Sequence, residues 1–266
     1  MDPRLFLYYI GLDLGQAQDY TAVSVLEEQL YVSSMWEERV LRAHDYERGI
    51  AAGWVSPAQL TPHQARLALG LSHEFGRPAT VPLAVRHLAR FELGTKYTDV
   101  VDEVGKLVRM DPLRTLPGVL VVDKTGVGAA VLENFIHAGI GTVAITLHGG
   151  AAVSKDPQRS GFRVPKRDVI TIAQVLLQGG LLKVARGLSE AETLRKELLN
   201  FKVKIDPRTA HDSYSHWREG DHDDLVLSVA MAAWMRQFWN RQLDVTLARR
   251  LRLTEERQRS WTMPMV

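Results

Sequence analysis

The apolar pattern of the chain opens on LFLYYIGLDLGQAQDYTAVSVLE, two β-rich runs separated by a Gly-containing turn. The first, Leu5 to Leu12, delivers a carboxylate at its end, Asp13; the second, Tyr20 to Leu26, returns. This pattern predicts a β-hairpin with an acid at the centre of a sheet rather than at its rim. An acid buried there is costly unless a cation meets it, commonly a metal ion or a phosphate-bound metal.

Farther along, the periodicity alternates between strand and helix. A third strand is predicted over Val81 to Phe91. Val100, Val101, Val104, Leu107 and Val108 mark one face of a helix from Tyr97 to about Met110. After Pro117-Gly118, VLVVD is a continuous apolar run of the buried parallel kind and ends on Asp123. TGVG opens a helix from Ala129 to Ala138, and Thr142 to Leu147 predicts another strand. From His148 to Pro165 the chain is rich in Gly, Ser, Lys and Arg, which predicts a mobile loop. A helix over Lys166 to Gln178 follows, then a strand near Leu181 to Val184. Ser189 to Asn200 predicts a helix with a capping box of Ser189 and Glu192. Phe201 to Ile205 reads as a strand that His211 to Trp217 can pair with. DHDDLVLSVAMAAWMRQFW, beginning at Asp221, is apolar nearly all round and predicts a buried helix.

Three antiparallel strands followed by alternating helix and strand predict an α/β fold, a mixed sheet with helices on both faces. The expected organisation is one domain over residues 1–240, with a helical insertion at 31–78 and an Arg-rich C-terminal helix or tail at 241–266. Within the insertion, Trp36 and Trp54 are candidate contacts or buried aromatics.

Composition narrows the function classes. With 266 residues, 45% of them hydrophobic, the chain can bury a substantial core. The formal net charge is only +2, so any nucleic-acid surface is a local patch. No cysteine is present, which excludes disulfides, thiolate zinc sites and cysteine nucleophiles. The opening apolar run is too short to span a bilayer and no signal-peptide pattern precedes it. A soluble, cytoplasmic protein with no membrane partner is expected.

The candidate chemistry lies in carboxylates. Asp123 ends a parallel strand, where open α/β sheets place ligands, although an Asp there also begins turns and caps helices. Asp221, Asp223 and Asp224 crowd the start of an otherwise apolar helix. The helix dipole favours acids there by about 0.3–1 kcal/mol, which accounts for one or two of them. Asp221 and Asp224, three apart, share a face. Carboxylates without thiolates suit Mg²⁺ or Mn²⁺. His222 is an additional ligand or a histidine of the capping turn. Lys155, Arg159, Arg163, Lys166 and Arg167 form a basic segment that reads as a phosphate-backbone contact or a solvated loop. Lys124, beside Asp123, is a strand contact or a surface lysine.

Three segments, IGLDLGQAQDYTAV, LVVDKTGVGAAVLENF and GDHDDLVLSVAMAAW, together resemble the nuclease domain of phage terminase large subunits, in the RNase H-like (retroviral integrase) superfamily. RFELGTKYTDVVDEVGKLV, KRDVITIAQVLLQGGLLKV and TLRKELLNFKV extend the resemblance to most of the chain outside Leu30 to Pro78 and the tail after Asn240. It implies an RNase H-like fold and a two-metal DNA endonuclease. In that reading Asp13 bridges two Mg²⁺ or Mn²⁺ ions, Asp123 holds one, and Asp224, with Asp221 or Asp223, holds the other. Asp19 matches an acidic position common after the first Asp and supports the site from behind. Lys166 falls where the family begins a helix with lysine. The implied partners are double-stranded DNA and, since no G-x-x-x-x-G-K-[ST] loop is present, a separate ATPase motor, a small terminase or a portal. For a phage-encoded chain the compartment is the host cytoplasm. Two rival readings are a junction resolvase, which also uses the Asp221-x-x-Asp224 spacing, and an actin-like kinase, which also opens on GLDLG.

Overall fold

The computed structural model describes residues 4–15, 19–31, 81–116, 118–126, 129–156, 161–205, 212–215 and 222–239. The expected insertion and C-terminal tail therefore lie outside the described residues, as do Asp221 and Arg159.

Strands β1 (Arg4–Asp13), β2 (Ala22–Tyr31) and β3 (Leu83–Arg90) form an antiparallel meander. Helix α1 (Tyr97–Val108) leads to β4 (Gly118–Asp123), which pairs parallel to β1 and makes β1 a central strand. Helix α2 (Ala129–His137) connects to β5 (Thr142–His148), parallel to β4. A short hairpin of β6 (Ser154–Lys155) and β7 (Gly161–Pro165) follows, and β7 joins β5 in parallel. Helix α3 (Lys166–Gln178) leads to β8 (Leu182–Val184), which pairs parallel to β3 at the far edge. The eight strands run in the order β6-β7-β5-β4-β1-β2-β3-β8. Helix α4 (Ala191–Asn200), a separate two-stranded ladder of β9 (Lys202–Ile205) and β10 (Asp212–Ser215), and helix α5 at 224–239 complete the described chain. The protein is thus α/β, with a mixed sheet. Among the described residues no helix is long and apolar enough to cross a membrane.

Alternation along the central strands sorts side chains into two cores. Leu7 and Tyr9 of β1 and Val119 and Val121 of β4 pack in one, with α3, α4 and α5. Tyr8, Ile10 and Leu12, with Leu120 and Val122, pack in the other, against α1 and α2. Burial on both faces explains why VLVV, the four residues ahead of Asp123, is apolar throughout.

Two expectations are corrected. The segment from His148 to Pro165, expected as a mobile loop, supplies β6 and β7. Its Gly content is what lets the strand in: a Cβ on Gly161 would stand 2.3 Å from the backbone oxygen of Ala144 on β5. The capping box of Ser189 and Glu192 does not form. The helix starts at Ala191 after a Glu190 cap without a side-chain hydrogen bond. Glu192 instead takes a bidentate bond from Arg195, one turn on.

Candidate metal centre

Parity places the first two acids. Gly11 and Asp13 share the face of Leu7 and Tyr9, and Asp123 shares the face of Val119 and Val121. The parallel ladder pairs Leu12 with Val122, so Asp13 and Asp123 are the next residues on adjacent strands. Both carboxylates therefore project on the face that α5 covers, at the carboxyl ends of their strands.

A single glycine sets the height of that helix. A Cβ on Gly11 would lie 1.8 Å from the backbone oxygen of Ser228, so α5 crosses β1 in direct backbone contact. Asp224 precedes Ser228 by four residues, about 6 Å of helical rise, and Asp13 follows Gly11 by about 6.6 Å of strand. These nearly equal steps bring Asp224 to Asp13.

Asp13, Asp123 and Asp224 are all buried. Burial, followed by the charges of Asp123, Asp224 and Asp223, raises the Asp13 carboxyl well above its ordinary value, against a lesser pull from Lys166. Asp123 is also raised, first by burial, although its Oδ1 accepts bonds from the Thr125 N–H at 2.8 Å and hydroxyl at 2.5 Å. Asp224 is pushed up to about 7, mainly by burial, with Arg90 opposing and Asp223 and Asp19 adding to it. Asp223 lies just before the helix rather than within its first turn, and its carbonyl accepts the Leu227 N–H. Its carboxylate takes a bond from Lys166 Nζ at 3.2 Å.

No protein-family model, characterised protein or solved structure matches the chain.

The side chains fit a cation. Asp19, His222 and Asp224 each offer a ligand atom, all within 4.8 Å of one another. His222 Nδ1 and Asp224 Oδ2 are both buried, lie 3.7 Å apart and have no hydrogen-bond partner. Two buried polar atoms left without a hydrogen-bond partner, one of them a carboxylate oxygen, leave room for a positive ion to satisfy them. This cluster could hold a metal ion. Asp224 belongs both to it and to the group around Asp13.

Three residues that sequence reasoning missed hold Asp224 in place. Arg90, at the end of β3, donates to Glu197 of α4 and stands 3.7 Å from Asp224 Oδ2. Its guanidinium lies 4.5 Å over the Tyr20 ring, which in turn meets His222 edge-on at 4.7 Å. Glu197 is pushed up to about 7, first by burial, although the Val226 N–H and Arg90 favour its charge. Arg90 is 107 residues from Glu197, so no local period announces the pair.

The basic residues divide. Lys166 faces the carboxylates, whereas Lys155, Arg163 and Arg167 are exposed. Lys124 turns away from Asp123 to pair with Asp156 beside β6.

Proposed function

We propose that this chain is a divalent-metal-dependent DNA endonuclease with an RNase H-like fold, of the terminase nuclease type. The observation that carries the reading is the burial of Asp13, Asp123 and Asp224 at two adjacent strand ends and a helix start, near enough that the Asp13 carboxyl is raised by the charges of the other two. So many carboxylates in low dielectric are stable together only with added positive charge.

Asp224 with Asp19 and His222 would hold one ion, and Asp13, whose carboxyl feels the charges of Asp123, Asp223 and Asp224, would help to hold a second. Bound there, Mg²⁺ or Mn²⁺ supplies an activated water and neutralises the charge that develops on phosphate and the leaving 3′-oxygen. The chain's own contribution is rigidity. The Thr125 bonds fix Asp123, the backbone contact of α5 with β1 fixes Asp224 over Asp13, and the Arg90–Glu197 pair braces Asp224 from behind. Exposed Lys155, Arg163 and Arg167 lie on the hairpin and helix start beside the carboxyl ends of the strands. They suit a DNA backbone, which they would position without reading sequence. Double-stranded DNA is the proposed substrate, and a separate ATPase motor, small terminase or portal the proposed partner.

Plasmid cleavage with Mn²⁺, Mg²⁺ or EDTA tests this, with wild type beside Asp13→Asn and Asp224→Asn. Metal-dependent nicking or linearisation that both variants lose supports the reading. Absence of cleavage together with absence of DNA binding overturns it.

A further inference from the structure

Of the three side chains that could hold an ion together, Asp19 and Asp224 offer oxygen and His222 offers nitrogen. His222 sits two residues before the start of α5, and its Nδ1 lies 3.7 Å from Asp224 Oδ2. Its ring meets Tyr20 edge-on, and the Tyr20 ring lies in turn under the Arg90 guanidinium, so the imidazole is oriented by an aromatic that is itself held. The side chain of Asp224 is 6% exposed and that of His222 25%, whereas Asp19 is exposed. The cluster is therefore buried at Asp224 and meets solvent at Asp19.

We infer that the Asp19–His222–Asp224 position selects a borderline transition ion of the Co²⁺ or Zn²⁺ kind, with Mn²⁺ next and Mg²⁺ last, and that His222 Nδ1 is the ligand that sets the choice. The inference rests on the reading of this cluster as a metal position of the proposed nuclease. Both Nδ1 and Oδ2 are buried and lack a hydrogen-bond partner, so an ion that meets them gives up water on that side. Mg²⁺ dehydrates reluctantly and prefers oxygen ligands, whereas borderline ions take imidazole nitrogen readily. Arg90 sharpens the difference. While it donates to Glu197, its guanidinium stands 3.7 Å from Asp224 Oδ2, too far to satisfy that oxygen but near enough to cancel part of its charge. A hard ion depends most on that charge. The bond from imidazole to a borderline ion depends on it less, so Arg90 weakens Mg²⁺ more than Co²⁺ or Zn²⁺.

The test is ion competition on the full chain without DNA. Co²⁺ is followed by its visible absorption and Mn²⁺ by electron paramagnetic resonance, with circular dichroism checking that each variant folds. On wild type, Co²⁺ should bind more tightly than Mn²⁺, and a large excess of Mg²⁺ should fail to displace it. Pulsed resonance of bound Mn²⁺ should show coupling to a ligating nitrogen. His222→Asn, which keeps an oxygen donor, should lose that coupling with little change in Mg²⁺ binding. It should weaken Co²⁺ by at least about tenfold, the least that removing even an outer partner of a metal ligand costs. His137→Asn, exposed in the last turn of α2, should change nothing. Displacement of Co²⁺ by Mg²⁺ on equal terms would overturn the selectivity, and nitrogen coupling retained in His222→Asn would overturn the role of His222. Either result leaves the nuclease reading standing if plasmid cleavage is metal-dependent and lost in Asp13→Asn. No ion bound and no cleavage would overturn both.

Discussion

Glu197 accepts the backbone N–H of Val226 at 3.0 Å, and its other oxygen takes the guanidinium of Arg90. One carboxylate thus satisfies an N–H in the first turn of α5 and restrains the arginine that faces Asp224. Glu197→Ala removes both at once and strands a largely buried guanidinium. It should cost about 3 kcal/mol in urea unfolding. Glu197→Gln retains an acceptor for Val226 and should cost distinctly less. Equal losses for the two would mean that the N–H bond is not the stabilising part.

A second long-range ion pair ties the other end of the same helix. Arg236 donates from Nε to Glu28 Oε1 at 3.0 Å and from Nη2 to the Val81 carbonyl at 2.9 Å, and Tyr9 donates to Glu28 Oε2. Both charged side chains are 1% exposed. Arg236→Met leaves Glu28 as an uncompensated buried charge and should cost about 3–5 kcal/mol. Adding Glu28→Gln should recover part of that loss, since the remaining amide is neutral. Chemical denaturation of the single and double variants measures the coupling.

How much of this was legible in the sequence follows from how local each feature is. The hairpin, the central placement of Asp13 and the buried parallel strand ending on Asp123 were read from alternation and run length, which are local properties. Strand β7 was hidden because Gly161, needed for close approach to β5, is also the residue that announces a loop. The Ser189–Glu192 spacing suggested a capping box that Arg195 pre-empts. Asp224 was legible as part of DHDD, but its bracing by Arg90 and Glu197 is a tertiary pairing with no sequence period. Arg236 did leave a signal, a lone charge inside AAWMRQFW, because a charge in a buried helix demands a partner.

Gly11 controls the height of α5 over the sheet. Gly11→Ala places a methyl 1.8 Å from the Ser228 oxygen, a clash with backbone that no rotamer relieves. The helix must lift or tilt, at about 1–3 kcal/mol. Because Asp224 rides on that helix, Mn²⁺ affinity should fall as well. The reciprocal control is Ser228→Ala, which leaves the backbone oxygen in place and should alter metal binding little. Parallel calorimetric titrations of the two variants separate helix height from the loss of a side chain.

The buried acids also predict a pH dependence opposite in sign to that of a salt-bridged carboxylate. Asp224 rises from 3.8 to about 7, chiefly through burial, and Asp13 is displaced upward in the same sense. The folded chain therefore keeps protons that the unfolded chain has already released, and it binds more protons throughout that interval. The stability linked to Asp224 is complete below about pH 4 and is lost as pH rises toward about 7. In metal-free buffer the Tm of wild type should fall relative to that of Asp224→Asn across this window. Each unit of displacement is worth about 1.4 kcal/mol, enough for a difference of several degrees. A saturating divalent ion should abolish the trend in wild type, because it stabilises the ionised carboxylates, and should have a smaller effect on Asp224→Asn. A Tm difference that stays flat with pH would show that Asp224 is ionised in the folded chain at ordinary pH, and that the centre is less charge-starved than its burial implies.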